Sequence, residues 1–497
     1  MMGRIRTSNR MFTAVCLSLG AAASVWSHAA AIEPGDWAQY NYDNRGWRFN
    51  HAEQTLKASN VATLEEKWRF PTRGSTEEIG VVHATPVVVN GYVYFGTTRT
   101  QPSFYKLTPD GKLCWCHEIE SIVTAEHGDP YIEHGLDATV DGVMNSALVD
   151  DQRVYFGTFG GQLICLDRFS GKLLWKVNTK REPFSAAHPS NTIMSSPILA
   201  DGKLIVAGGG FEHALGAIPD YPCCSGRGFV AAFDPESGES LWGYTVGPEP
   251  ERFDPLVAIE FDNGNRIDRA GGEILYQTPK YQGPPVADMR ASKDTRILAL
   301  PSALGGLQTG CGFDGERVYA NGTDWPGLAI ALQGAASSRT NPIIPPSAGR
   351  VTAIAPNTLV EHWRHERPRL HHTNLDDGEK FTCGDPVGSG VALTDELVFF
   401  TTTLSGELTA LDSRTGKLLK TIPIGPVWCG PSVSNGRVYV GSGSDLFTAW
   451  SSKEQAKARV GFSLPTTEIG AVYCFGLPDD DGAQFSQQEN CPQRKTD

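Results

Sequence analysis

One stretch, residues 204–242, holds several chemically capable side chains at close spacing: Glu212, the adjacent pair Cys223 and Cys224, and Arg227. Neighbouring cysteines can close an eight-membered disulfide ring, whose geometry departs from the ordinary one, or can stay as free thiols or pair elsewhere. Glu212 is an oxygen donor of the kind a hard cation wants. The ordinary fate of such a residue is a solvated surface. Arg227 has the planar guanidinium that suits a carboxylate, in a ligand or in a rim salt bridge. Further along, Asn321-Gly322-Thr323-Asp324-Trp325-Pro326 places an amide and an acid in a turn. Asp324 can act there as a metal ligand, as a general base or simply as a turn residue. Asp385, in Cys-Gly-Asp-Pro-Val-Gly, is a second acid of this type. Cys114-Trp115-Cys116-His117 is one residue short of a haem-attachment motif. His362, His365, His371 and His372 with Asp376 and Asp377 form a histidine-rich patch, suited to a transition metal or to a polar loop.

These residues are carried by short repeated units. Thr85–Gly96 is two apolar runs around Asn90-Gly91, a strong hairpin signal. Leu163–Trp175 reads as strand, Asp-x-x-Ser-Gly turn and strand, and Phe229–Trp242 repeats it. Ser146–Gly157, Gly388–Phe400 and Gly430–Gly441 repeat the first hairpin. The closing tryptophans fall at 68, 115, 175, 242 and 363, and the last interval has room for two units. Four-stranded units of this period each need neighbours to bury their faces, which predicts an all-β propeller of seven or eight blades, with a solenoid as the alternative. The unit within 243–300 is poorly marked. Residues 335–347 and 478–497 read as loose polar segments.

Residues 1–31 have a basic start (Arg4, Arg6, Arg10), an apolar stretch and Ala29-Ala30-Ala31, the pattern of a secretory signal peptide. The expected organisation is therefore a signal peptide at 1–31, a propeller over 32–475 and a polar tail at 476–497. Removing the three arginines takes the net charge from −13 to −16. An acidic surface argues against nucleic acid and anionic lipid as partners. No run beyond the signal is long and apolar enough to span a bilayer. Ten cysteines remain, and disulfides are permitted in an exported chain.

Asp167–Trp175, Asp-x-x-(Ser/Thr)-Gly-Lys-x-x-Trp, resembles the repeat of the pyrroloquinoline quinone propellers. Asp234–Trp242 matches it with Glu239 in place of the lysine. Trp37…Arg48, then Asn60-Val61…Leu64…Trp68, looks like the start of quinoprotein alcohol dehydrogenases. Within them, Glu212 followed by Asp220-Tyr221-Pro222-Cys223-Cys224-Ser225-Gly226-Arg227-Gly228 is most similar to the polyvinyl-alcohol-dehydrogenase type. The resemblance implies a periplasmic enzyme that oxidises a small or polymeric alcohol with pyrroloquinoline quinone and calcium. It also implies a separate electron acceptor, such as a soluble cytochrome. Under it, Cys223 and Cys224 form a ring disulfide against the quinone, with Arg227 on a quinone carboxylate. Glu212 and Asn321 become calcium ligands and Asp324 the base. A propeller scaffold without cofactor, and a metal enzyme without quinone, are the competing readings. The family's floor tryptophan has no evident counterpart between Trp242 and Trp325.

Overall fold

The structure, a computed structural model, describes residues 31–98, 101–122, 141–181, 183–210, 226–245, 266–267, 274–276, 297–298, 309–322, 330–331, 349–368, 370–373, 380–383, 385, 387–403, 405–444, 467–478, 489 and 491–492. Two local devices build its repeating unit. The first is a two-residue hairpin: Asn90 and Gly91 both take positive φ (51° and 76°), as do Asp201-Gly202 and Asn435-Gly436. That geometry matches the twist of the flanking strands. The second is the aspartate turn. Asp167 Oδ1 accepts from the Ser170 amide (2.7 Å) and hydroxyl (2.6 Å), and Gly171 follows at φ +69°. Asp234 with Ser237 and Asp412 with Thr415 repeat it.

The two hairpins join into antiparallel sheets. Val87–Val89, Tyr92–Gly96, Ser103–Leu107 and Leu113–Glu118 pair in sequence order. Equivalent sheets span 148–178, 198–245, 312–366, 392–423 and 432–476, giving six blades among the described residues. Glu65–Phe70 is the outer strand of the last blade, paired to Thr467–Gly476. This pairing closes the array into a ring, which an open solenoid would not do, and so gives a β-propeller. The apolar core lies between blades: Phe104 of the 87–118 blade stacks on Phe156 of the next, ring centres 4.2 Å apart. Further clusters fill the seams from 148–178 to 198–245 and from 312–366 to 392–423.

The closing tryptophans dock between blades. Trp68, Trp115, Trp175 and Trp363 each donate the indole N–H to a turn carbonyl of the following blade, at Pro109, Arg168, Pro235 and Ser413 (2.9–3.1 Å). Each ring lies on the turn glycine of that blade, at Gly111, Gly171, Gly238 and Gly416. Where the repeat has Lys420 instead, its ammonium donates to the Ala62 carbonyl at 2.8 Å.

The poorly marked stretch contributes Arg266–Ile267 paired to Ile274–Tyr276. Its register, Arg266 opposite Tyr276 and Ile267 opposite Ile274, carries the same bulge as Cys165/Trp175 and Leu166/Leu173. It therefore has the pairing of an outer blade hairpin.

Both flanks of the propeller are tied to it. Trp37 and Arg48 are fully buried. The Arg48 guanidinium donates to the carbonyls of Val391 (2.6 Å) and Pro431 (3.1 Å) and lies at 3.5 Å from the Thr85 hydroxyl, so it links three blades near the axis. In the stretch expected to be loose, Cys491 is bonded to Cys114 and the Glu489 side chain is 3 % exposed. Buried cations hold that carboxylate, a device that polar composition does not reveal.

Candidate functional site

The inner strands line a cavity of about 550 Å³. Their register makes its walls a set of stacked rings. Val87, Leu148, Ile198, Gly312, Ala392 and Ser432 occupy equivalent positions, each opposite the third residue of its second strand or its equivalent. Two residues earlier come Thr85, Ser146, Ser196, Gly310, Gly390 and Gly430, all lining the cavity. One step further lie Ala84, Asn145, Ser195, Thr309 and Ser389, and beyond them His83, Met144, Met194 and Trp428. The cavity thus has a small hydroxyl- and amide-bearing waist and a bulky, largely apolar rim. Tyr40, Asn41 and Asn44 of the N-terminal segment bound the opposite side, and the Arg48 guanidinium lies over the Tyr40 ring at 4.5 Å.

The described residues that flank the chemically rich insertion lie near the rim. Asn191 and Thr192, two to three residues before Met194, pair with Gly210 and Gly209. A Cβ on Gly210 would lie 3.3 Å from the Gly226 backbone. Gly210 and Gly226, on either side of 211–225, therefore lie together near the rim. Glu212, Cys223 and Cys224 lie outside the described residues, as does Asp324. Arg227 is half-buried, two residues before Phe229–Phe233.

Asn321 is fully buried at the end of Val318–Gly322. Its equivalents on other second strands are Gly96, Gly157 and Gly441, where a side chain would strike Val143, Ile193 and Val82 of the next blade at 2.2–2.3 Å. Asn321 instead reaches across the seam, donating to the Val387 carbonyl (3.1 Å) and the Thr309 hydroxyl (2.9 Å). Thr401, at the same level, does likewise to the Cys429 carbonyl (2.6 Å). The Asn321 Oδ1 is buried without a hydrogen-bond partner. A buried acceptor left over is costly in an apolar setting and fits an oxygen ligand for a cation.

Asp385 has a different role from the base considered above. It is fully buried, accepts from the Ser405 amide (3.0 Å) and hydroxyl (2.7 Å), and pairs with Arg367 at 3.4 Å. Asp141, at the equivalent place before its own blade, likewise caps a turn by accepting from the Gly160 amide at 2.6 Å. These acids fasten loops, and neither is among the residues that line the cavity.

Cys114 is joined to Cys491, so the Cys-Trp-Cys-His run is not a pair of haem-attachment thiols. His362 and His365 stand three apart on one strand and point to opposite faces, His365 half-buried with its ring 6.0 Å from Phe400. Among the described residues no group of three or more metal-binding side chains is gathered.

Trp428 lines the rim, outside the Trp242–Trp325 interval in which the sequence offers no counterpart of a floor tryptophan. Its signal was positional: it stands four residues before an inner strand, where His83 and Met144 stand in their blades. A cavity of this size, with one aromatic and two thioether faces over a ring of hydroxyls, suits a planar polar cofactor.

Residues 37–264 match the family described as glucose/ethanol/alcohol dehydrogenase, beta-propeller domain, and 347–458 match the family of outer membrane protein assembly factor BamB. The chain is 32 % identical over 270 residues to the dehydrogenase subunit of the quinone alcohol dehydrogenase of Gluconobacter oxydans, covering 52 % of this chain and 32 % of that protein. It is 30 % identical over 264 residues to quinohemoprotein alcohol dehydrogenase ADH-IIG of Pseudomonas putida, covering 51 % and 32 %. The match spans about a third of the length of these relatives. The crystal structure of quinohemoprotein alcohol dehydrogenase from Comamonas testosteroni superposes with a TM-score of 0.59 at 18 % identity, over 94 % of this chain and 82 % of that one.

Proposed function

We propose that the chain acts as a pyrroloquinoline-quinone-dependent alcohol dehydrogenase, oxidising an alcohol within the axial cavity; the match of residues 37–264 to the alcohol dehydrogenase propeller family supports this reading. The observation that carries the reading is the conjunction of this cavity with the leftover Oδ1 of Asn321 behind Thr309 on its wall. When bound, the quinone supplies a two-electron acceptor for the hydride of the alcohol carbon, and the protein positions and polarises it. Trp428, Met144 and Met194 would flank its plane, and the Ser195, Ser196, Thr85 and Ser389 hydroxyls would meet its polar edge. Asn321 and Glu212 would give oxygens to a calcium ion. Arg227 would meet a quinone carboxylate, Cys223-Cys224 would cover the opposite face as a ring disulfide, and Asp324 would take the hydroxyl proton. Export to the periplasm after loss of 1–31, and electron transfer to a soluble cytochrome, complete the proposal.

The test is reconstitution: add pyrroloquinoline quinone with calcium to the purified full chain and follow quinone binding and dye reduction across aliphatic, aromatic and polymeric alcohols. Stoichiometric binding with turnover supports the enzyme. No binding at micromolar quinone would turn the reading towards a propeller scaffold, which the BamB-type match of 347–458 favours.

A further inference from the structure

A second built site lies at the seam between the 87–118 and 148–178 blades. Lys106 comes from the third strand of one blade and Arg168 from the aspartate turn of the next. Both side chains are 0 % exposed. The Lys106 ammonium bonds the Arg168 carbonyl at 3.1 Å and lies 4.6 Å from the centre of the Tyr92 ring. Arg168 donates to the Tyr94 hydroxyl (3.2 Å) and the Asp150 carbonyl (3.1 Å). Two blades thus present two cations inside one cleft, a costly arrangement unless an anion enters it. Glu489 gives one carboxylate oxygen to each. Its backbone is read as well: the Glu489 amide donates to the Tyr92 hydroxyl and that hydroxyl donates to the Glu489 carbonyl, both at 2.8 Å. Two residues on, Cys491 is bonded to Cys114, 377 positions earlier in the chain.

We propose that Tyr92, Lys106 and Arg168 form a carboxylate receptor whose ligand is the chain's own segment around Glu489, and that the Cys114–Cys491 bond makes this docking permanent only under oxidising conditions. Recognition comes first. The ion pairs and the two Tyr92 bonds hold residue 489, which brings the Cys491 thiol to Cys114. Each thiol then loses a proton, and the pair gives up two electrons to a disulfide oxidant, which leaves as a dithiol. Before oxidation the segment is a ligand tethered by residues 477–488 to the Thr467–Gly476 strand, so it rebinds readily but still opens and closes. After oxidation it cannot leave. The seam is therefore completed by the redox state of the surroundings rather than by the blades alone.

The test uses the full chain without quinone, so its outcome is independent of the proposed enzymatic activity. Cys491→Ser leaves the receptor and its carboxylate in place but removes the lock. Hydrogen exchange of the 484–497 peptide should be at least tenfold faster in this variant than in the oxidised protein, and faster still in Cys491→Ser/Glu489→Gln. In oxidative refolding from the reduced chain, Glu489→Gln should form the Cys114–Cys491 bond at least fivefold more slowly, scored by peptide mapping. Exchange in Cys491→Ser as slow as in the oxidised protein would overturn the lock. Bond formation in Glu489→Gln at the unaltered rate would overturn carboxylate recognition.

Discussion

The indole of Trp115 lies so close over Gly171 that a Cβ at that glycine would come within 2.6 Å of its ring, while the indole N–H bonds the Arg168 carbonyl at 3.1 Å. The positive φ of Gly171 adds a second reason for glycine. Gly171→Ala should lower stability by about 2–3 kcal/mol, the sum of left-handed strain and overpacking. Trp115→Phe should cost about 1 kcal/mol for the lost bond. The double variant should be less destabilised than the sum, because both changes act on one contact. Chemical denaturation of the four proteins measures this.

Leu359 stands where other blades have that glycine, at φ +57°. A branched side chain there carries about 1–2 kcal/mol of strain. Leu359→Gly relieves it but loosens the unfolded chain by about 0.5–1 kcal/mol. The expected net gain is therefore below about 1 kcal/mol, visible as a small rise in the denaturation midpoint. A fall in the midpoint would mean that the leucine makes a contact worth more than its strain.

Asp36 is 3 % exposed and burial pushes its carboxyl up to about 6, against amide bonds from Glu33 and Asn90 that pull it down. In the unfolded chain it titrates near 3.8. The folded state thus holds the proton more tightly, and its contribution to stability is present below pH 4 and lost as pH rises through 6. The loss is on the order of 2–3 kcal/mol. Asp36→Asn should flatten this part of the stability profile between pH 4 and 6.5. An unchanged slope would assign the titration to another group.

Ser195 is exposed into the cavity. Ser195→Trp should leave the denaturation midpoint nearly unchanged, since the new ring occupies open space. It should weaken quinone binding at least tenfold, as measured by titration of the quinone absorbance. Unaltered binding would place the cofactor elsewhere.

Asn321 and Asp385 separate ligand from fastener. Asn321→Ser removes the leftover Oδ1 and should reduce calcium-dependent quinone retention at least tenfold. Asp385→Asn should lower stability by about 1–3 kcal/mol, because Arg367 loses a buried charge partner. Turnover per bound quinone should not change in that variant. Equilibrium dialysis and denaturation together distinguish the two.

The ring architecture was legible because its devices are local. Asn90-Gly91 and Asp167…Gly171 announce their own turns, and each Trp marks the end of a unit. What the register does at a distance was not legible. Asp385 carries no mark in its local sequence of Arg367 and Ser405, which bind it from 18 and 20 positions away. Trp428 was hidden because a wall of the cavity is assembled from one residue per blade, spread over more than 300 positions. The Glu489 site escaped for the same reason: an acidic, polar stretch carries no mark of the two cations that receive it. Glu212, Cys223, Cys224 and Asp324, the residues with the sharpest local motif, lie outside the described residues.

The pairing of Glu65–Phe70 with Thr467–Gly476 sets the timetable of folding. Hairpins within a blade join residues a few positions apart and form on local timescales. The last blade cannot be completed until about four hundred intervening residues have been synthesised, because its outer strand is supplied by the beginning of the chain. The first strand therefore waits with an unpaired edge throughout, the state in which strands recruit wrong partners. Its sequence, Glu65-Glu66-Lys67-Trp68-Arg69-Phe70, carries four charges in six residues. Charge on a waiting edge is a defence against premature pairing, so the charged side chains that simply meet water in the finished ring act as protection during its construction.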